Sequence, residues 1–167
     1  DGADADNTIT MAVNTVVDTT PPTIAITTSD SSLTSGETAT ITFSLSEAST
    51  DFVAGDINVS GGTLSNFSGS GTTYTATFTP TANSTTNGVI SVASNKFSDL
   101  AGNFNTDGAD TNNSQTISVN TVRPAVAVTA DKSSVKAGET AVLTFTLSQA
   151  ATDFALEDVT FSGGTVT

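Results

Sequence analysis

Residues 37–46 read ETATITFSLS. Ala39, Ile41, Phe43 and Leu45 fall on one side of an extended chain, and Thr38, Thr40, Thr42 and Ser44 fall on the other. A strict two-residue period of this kind belongs to a strand packed on one face and wet on the other. The stretch therefore predicts a strand of an antiparallel sheet. The phrase returns as ETAVLTFTLS at 139–148, and the copy extends in both directions. SSLTSGETATITFSLSEASTDF at 31–52 becomes SSVKAGETAVLTFTLSQAATDF at 133–154, and DINVSGGT at 56–63 becomes DVTFSGGT at 158–165. The pairs are 102 positions apart, and about half the aligned residues are identical. A period of that size marks an array of modules. The 167 residues are then expected to hold one whole module and parts of two neighbours, as an excerpt of a longer protein would.

Further strands emerge on either side. In TTYTATFTP at 72–80, Tyr74, Ala76 and Phe78 oppose Thr73, Thr75, Thr77 and Thr79. Similar patterning predicts strands at about 22–28, 37–46, 56–60, 62–68, 72–79, 88–93 and 113–120, separated by turn clusters such as SDSS, SGSG and TANSTTNG. Seven short strands in about a hundred residues predict an all-β, immunoglobulin-like antiparallel sandwich, repeated in tandem on short linkers. Its expected core is Ile24, Ile26, Ile41, Phe43, Leu45, Phe52, Ile57, Val59, Leu64, Phe67, Tyr74, Phe78, Ile90, Val92, Ile117 and Val119. DGADADNTITMAVNTV at 1–16 echoes DGADTNNSQTISVNTV at 107–122, the last strand of the whole module. Residues 1–17 are thus expected to close a preceding module, 18–120 to form the complete one, and 121–167 to open the next. The partners are neighbouring modules of the same chain. Edges left unpaired would also invite self-association.

Composition narrows the function. Seventeen acidic residues against four basic ones give a net charge of −13. Such a chain repels nucleic acid and anionic membrane surfaces, which are bound through Lys and Arg, and it attracts cations. There is no apolar run to insert in a membrane. With no His and no Cys the usual general base, the commonest transition-metal ligand and any disulfide are missing. An enzyme is not expected. About a third of the residues are Ser or Thr, which suits the wet faces of strands. The Thr-x-Thr ladder of 72–79 reads the same way, since a twisting sheet is a poor template for a flat ligand such as ice.

VDTTPPT at 17–23, GETATITFSLSE at 36–47, GGTLSNFSGSGTTYTATFTP at 61–80 and SDLAGN at 98–103 together resemble the bacterial Ig-like repeats of giant type I-secreted, biofilm-associated surface adhesins. The resemblance implies a calcium-rigidified stalk, exposed at the bacterial cell surface, that carries adhesive domains found elsewhere. It makes this chain a structural extender in cell adhesion and biofilm formation. The alternatives are a filament subunit completed by strand exchange between chains, or an accessory module of an extracellular enzyme.

In an immunoglobulin topology the incoming linker meets the loops after the second and sixth strands. That places Asp18 near Glu47 and Asp51 of SEASTD, and near Asp99 and Asn103 of SDLAGN. Carboxylate and amide oxygens on converging loops are what calcium needs, six to eight oxygens in all. Asp18, Glu47, Asp51, Asp99 and Asn103 are therefore the candidate ligands. At the second junction the 102-residue offset sets Asn120 against Asp18, Gln149 against Glu47 and Arg123 against Pro21. Two acids have become amides and a cation has appeared. Calcium is accordingly expected at the first junction and not at the second, where Arg123 is expected to pair with Asp153.

Overall fold

The computed structural model describes Met11 and residues 16–166. The chain divides into two compact units at Thr121/Val122. Most of residues 1–17, the expected closing strand of a preceding module, lie outside the described residues.

Among the described residues the first unit has seven strands: β1 (Ile24–Thr28), β2 (Ser32–Thr34), β3 (Ala39–Ser49), β4 (Ile57–Ser60), β5 (Gly62–Pro80), β6 (Gly88–Val92) and β7 (Ser114–Asn120). One sheet runs β1-β3-β5 and the other β2-β7-β6-β4. Every pairing in them is antiparallel except β2 with β7. Among the described residues the only helical turns are three-residue 3-10 segments, and no helix is long and apolar enough to cross a membrane. The expected sandwich is present.

The two-residue period does what the sequence predicts. Ile41 and Phe43 on β3, Phe78 on β5, Ile90 on β6 and Ile117 on β7 are completely buried between the sheets. Val59, Leu64 and Phe67, also expected in the core, pack against it while only partly buried. At its centre Phe52 packs edge-on against Phe43, Phe67, Tyr74 and Phe97, with ring centroids 5.1–5.7 Å apart. Each ring buried this way contributes about 1.5–3 kcal/mol from removal of apolar surface. The Tyr74 hydroxyl donates to Ser49 O at 2.8 Å, so the ring's polar end is satisfied within the core.

Three features differ from the pattern-based reading. The stretches expected as strands 62–68 and 72–79 form one run, β5, that doubles back on itself. Asn66 Nδ2 donates to Thr77 Oγ1 across the fold, and Ser68 Oγ lies 3.5 Å from Thr75 Oγ1. The fold is tight because Gly69 has φ 134°, and a Cβ there would stand 2.4 Å from Thr73 O. Secondly, β2 is a strand that the pattern does not predict, only its first residue falling in the SDSS turn cluster; three residues are too few to display a period, yet Leu33 is buried. Thirdly, Phe97 is completely buried although it sits in an irregular loop, where periodicity carries no signal.

The second unit contains β8 (Val126–Ala130) and β9 (Leu143–Leu147), paired antiparallel. Val126↔Leu147 and Val128↔Phe145 repeat the register of Ile24↔Leu45 and Ile26↔Phe43. The Phe145–Phe154 pair at 5.7 Å repeats Phe43–Phe52 at 5.6 Å. Burial does not repeat. Val128 is 56% exposed and Leu143 41%, against 4% for Ile26 and 0% for Ile41. In the first unit those positions are covered by strands β5 to β7; among the described residues of the second unit the strands are β8 and β9.

The junction residues also require a correction. Asn120 is the last residue of β7, opposite Thr34, and Thr121 behind it is buried. Asp18 and Thr19, at the 102-residue offset, are exposed and outside any strand. Aligning VNTV at 13–16 with VNTV at 119–122 instead places four additional residues between that phrase and Pro22. On that second alignment Asp18 falls within a longer linker and Asn120 stands against Asn14, whereas the 102-residue offset sets Asn120 against Asp18. The Gln149 substitution for Glu47 stands, since β3 and β9 share their register. The expected Arg123–Asp153 ion pair does not form; both side chains are exposed and make no contact with each other.

Candidate metal centre at the linker end

β1 and β7 begin at the same end of the first unit, where Asp107 Oδ2 accepts the Ile24 N–H at 2.7 Å. The linker, the end of β3 and the loop 93–113 meet there. Glu47 is the only charged residue on any of the seven strands. It stands where β3 loses register with β5, between Ser44 and Ser49, so its side chain escapes the ladder's alternation.

Asp99 is positioned by a tight turn. Its backbone N–H donates to Asn103 O and its carbonyl accepts the Gly102 N–H, with Gly102 at φ +90°, a conformation that glycine adopts without strain. Its Oδ1 accepts the N–H groups of Ala101 and Asn103 at 2.8 and 2.9 Å. The Asn103 amide donates to Asp99 Oδ2 at 2.8 Å and to Asp18 O at 3.2 Å, tying the linker backbone to the loop. Asp18 itself is turned by its Oδ1, which accepts the Thr20 N–H at 3.0 Å.

The outcome is a group of three carboxylates, Asp18, Glu47 and Asp99, with one oxygen of each within 4.8 Å of the others. They line a cleft with Ser46, Ala48, Thr72, Leu100 and Ala101. Burial raises the Glu47 pKa, and the charges of Asp18 and Asp99 and a hydrogen bond shared with Asp18 raise it further. Asp99 goes the other way: burial pushes it up, but the donors of Asn103, Ala101 and Gly102 outweigh this and hold it below the ordinary aspartate value. The first unit from Asp18 onward has a single basic residue, Lys96. Three acids held together without a cationic side chain suit a divalent cation with oxygen ligands.

Of the five candidate ligands the structure brings together Asp18, Glu47 and Asp99. Asn103 stands beside them, presenting its NH2 rather than its carbonyl. Asp51 is engaged elsewhere. Its Oδ1 accepts Ser49 Oγ–H at 2.7 Å and the Ser98 N–H at 2.9 Å, and its Oδ2 accepts Ser98 Oγ–H at 2.7 Å. Burial raises its pKa, but these donors lower it below the usual value. Asp51 thus fastens the end of β3 to loop 93–113.

Three buried polar residues in that loop, Asn105, Asp107 and Asn113, escaped the sequence reading. Asn105 Oδ1 accepts the Lys96 and Phe97 N–H groups, while its amide donates to Ala93 O and to Asp107 Oδ1. Asp107 joins this set to β1. The repeated DGAD phrase was the available signal, and it gave no indication of burial.

A family model described as bacterial Ig-like domain matches residues 18–119 and again 120–167. With the sandwich and its 102-residue repeat, this defines a tandem array of Ig-like modules. The chain belongs to the bacterial Ig-like domain family. Comparison with curated proteins and with solved structures finds no match.

Proposed function

We propose that the chain is a spacer from the stalk of a secreted bacterial surface adhesin, serving cell adhesion and biofilm formation, with calcium fixing the first junction. The observation that supports it most directly is the convergence of a linker acid, Asp18, with Glu47 and Asp99 of the module it leads into. A linker carboxylate contributes nothing to the module's own core; it gains a purpose when an ion bridges it to the next module. Asp18, Glu47 and Asp99 would supply the carboxylates, and Asn103 would brace the linker. Calcium there would replace mutual repulsion by shared attraction and make linker and module one body. The topology suits a spacer too, since the chain enters beside Asp107 and leaves at the opposite end of β7.

The test is melting of the 167-residue chain in millimolar calcium and in chelator, for the wild type and Asp18→Asn. A calcium-dependent rise that the substitution abolishes supports the junction. Equal melting in all four samples rejects it. A second reading, a subunit completed by strands of another copy, draws on the exposed apolar face of β8 and β9. It requires concentration-dependent association in sedimentation, whereas the spacer reading expects none.

A further inference from the structure

Loop 93–113 encloses two asparagines, and they differ in one respect. Asn105 spends every site of its amide: Oδ1 accepts the Lys96 and Phe97 N–H groups, and Nδ2 donates to Ala93 O and Asp107 Oδ1. Asn113 closes the 3-10 turn Thr111–Asn113 that leads into β7, and is 1% exposed. Its backbone N–H donates to Asp110 O at 3.1 Å. Its side-chain Oδ1 and Nδ2, both shut off from solvent, have no hydrogen-bond partner among the described residues. A primary amide carries two donors and an oxygen with two lone pairs. Leaving such atoms buried and unpaired costs their full desolvation, which exceeds what an ordinary hydrogen bond contributes net.

The residue is also repeated. DGADADN at 1–7 and DGADTNN at 107–113 align without a gap, with Ala5 against Thr111 and Asp6 against Asn112, but with Asn7 against Asn113. Leucine, of similar size, would fill the place without the desolvation cost. An amide kept there has a partner outside the protein's own groups, and its two ends define that partner. A metal cation would be met by Oδ1 alone and would leave the NH2 unpaired. An anion would be met by Nδ2 alone and would leave the carbonyl unpaired. A neutral molecule that both donates and accepts serves both ends, and in so enclosed a place it must be small. Water fits: buried waters make about three hydrogen bonds, to groups of this kind. The carbonyl and the NH2 hydrogen beside it face the same way, so one water can close a ring with both.

We infer that Asn113 anchors an enclosed structural water at the foot of β7. The turn that carries it packs against β1, whose first N–H is held by Asp107 of the same loop. The water thus stands among the groups that join the approach to β7 to the start of β1. It is part of the module's own architecture and depends on neither the calcium site nor the spacer reading.

Nuclear magnetic resonance of the isotope-labelled 167-residue chain, in chelator, reads the site without any substitution. The Asn113 NH2 protons are expected to show Overhauser transfer to water, with opposite signs in the laboratory and rotating frames. That sign change separates a long-lived bound water from proton exchange. Relaxation dispersion of the water oxygen counts such waters, and Asn113→Leu should hold one fewer than the wild type. Urea unfolding of the same variant supplies a sign. Expelling the water leaves its other partners unpaired, so the midpoint should fall, whereas replacing a dry amide by leucine would raise it. Absence of water transfer at the wild-type NH2, an unchanged relaxation count, or a midpoint at or above wild type overturns the inference. If Asn113→Leu does not fold, the wild-type spectrum decides alone.

Discussion

Glu47 should make the first junction sensitive to pH and, on the proposed reading, to calcium, and the sign can be worked out. Its carboxyl is raised above 4.5 in the folded chain by burial and by Asp18 and Asp99. A raised acid favours the protonated folded form, so its contribution is complete below 4.5 and is lost as pH rises through the folded value. Asp51 and Asp99, both lowered, act oppositely: their contribution is complete above 3.8 and is lost as pH falls through their folded values. Metal-free protein should therefore melt highest in mild acid and lose stability as Glu47 ionises. On the proposed reading calcium would bind the ionised form and reverse that decline. Weak extracellular sites have dissociation constants of ~0.1–1 mM, so 10 mM calcium stabilises by roughly 1.4–2.7 kcal/mol. For a unit of about a hundred residues this raises the melting temperature by ~6–20 °C. Circular dichroism melts from pH 4 to 8, with calcium and with chelator, provide the readout, with Glu47→Gln alongside. Glu47→Gln should flatten the acid-to-neutral decline in chelator and reduce the calcium response. A wild-type melting temperature in chelator that climbs steadily to neutral pH would refute the assignment of Glu47.

Tyr74, the single tyrosine, is buried in the first unit, so near-ultraviolet circular dichroism follows that unit through urea unfolding. Phe52→Ala should cost about 3–5 kcal/mol, because the ring touches four other aromatics and leaves a cavity among them. Gly88→Ala should cost about 1–3 kcal/mol, since the new Cβ would stand 2.4 Å from the Phe78 ring. Asp107→Ala should cost about 1–3 kcal/mol by leaving the buried Ile24 N–H without its acceptor. An Asp107→Ala midpoint equal to wild type would show that the N–H finds another partner.

What was legible in the sequence was what periodicity and repetition encode. Alternation at 37–46 and 72–79 placed β3 and the returning arm of β5, and with them Ile41, Phe43 and Phe78 at the centre of the core. Leu33 and Phe97 were not legible, because one lies on a three-residue strand and the other in a loop; only tertiary packing gives them a face. Within the candidate site, Asp18, Glu47 and Asp99 could be grouped because loop adjacency follows from topology. Asp51 lies equally near in sequence to Glu47 but is diverted by Ser49 and Ser98, and hydrogen-bond partners of that kind cannot be read from spacing. The repeat leaves one place open to two alignments: a gapless offset of 102 sets Asn120 against Asp18, and the shared VNTV phrase sets it against Asn14.

The second alignment offers another physical account of why calcium is proposed at one junction and not at the other. A swap of acid for amide would alter only charge, leaving a second linker able to regain calcium by one substitution. The longer first linker alters reach as well. In the second junction Arg123 and Pro124 follow Thr121 and Val122 directly, whereas Val17, Asp18, Thr19 and Thr20 intervene in the first. Gln149, where β3 carries Glu47, donates to Val122 O at 3.4 Å and so already holds its own linker by a neutral contact. Restoring calcium to the second unit should then need Gln149→Glu together with an inserted Val-Asp-Thr-Thr segment after Val122, and Gln149→Glu alone should fail. Calcium titration calorimetry distinguishes these: one site in the wild type and in Gln149→Glu, two only when the insertion is added. A second site in Gln149→Glu alone would show that charge, and not linker length, separates the junctions.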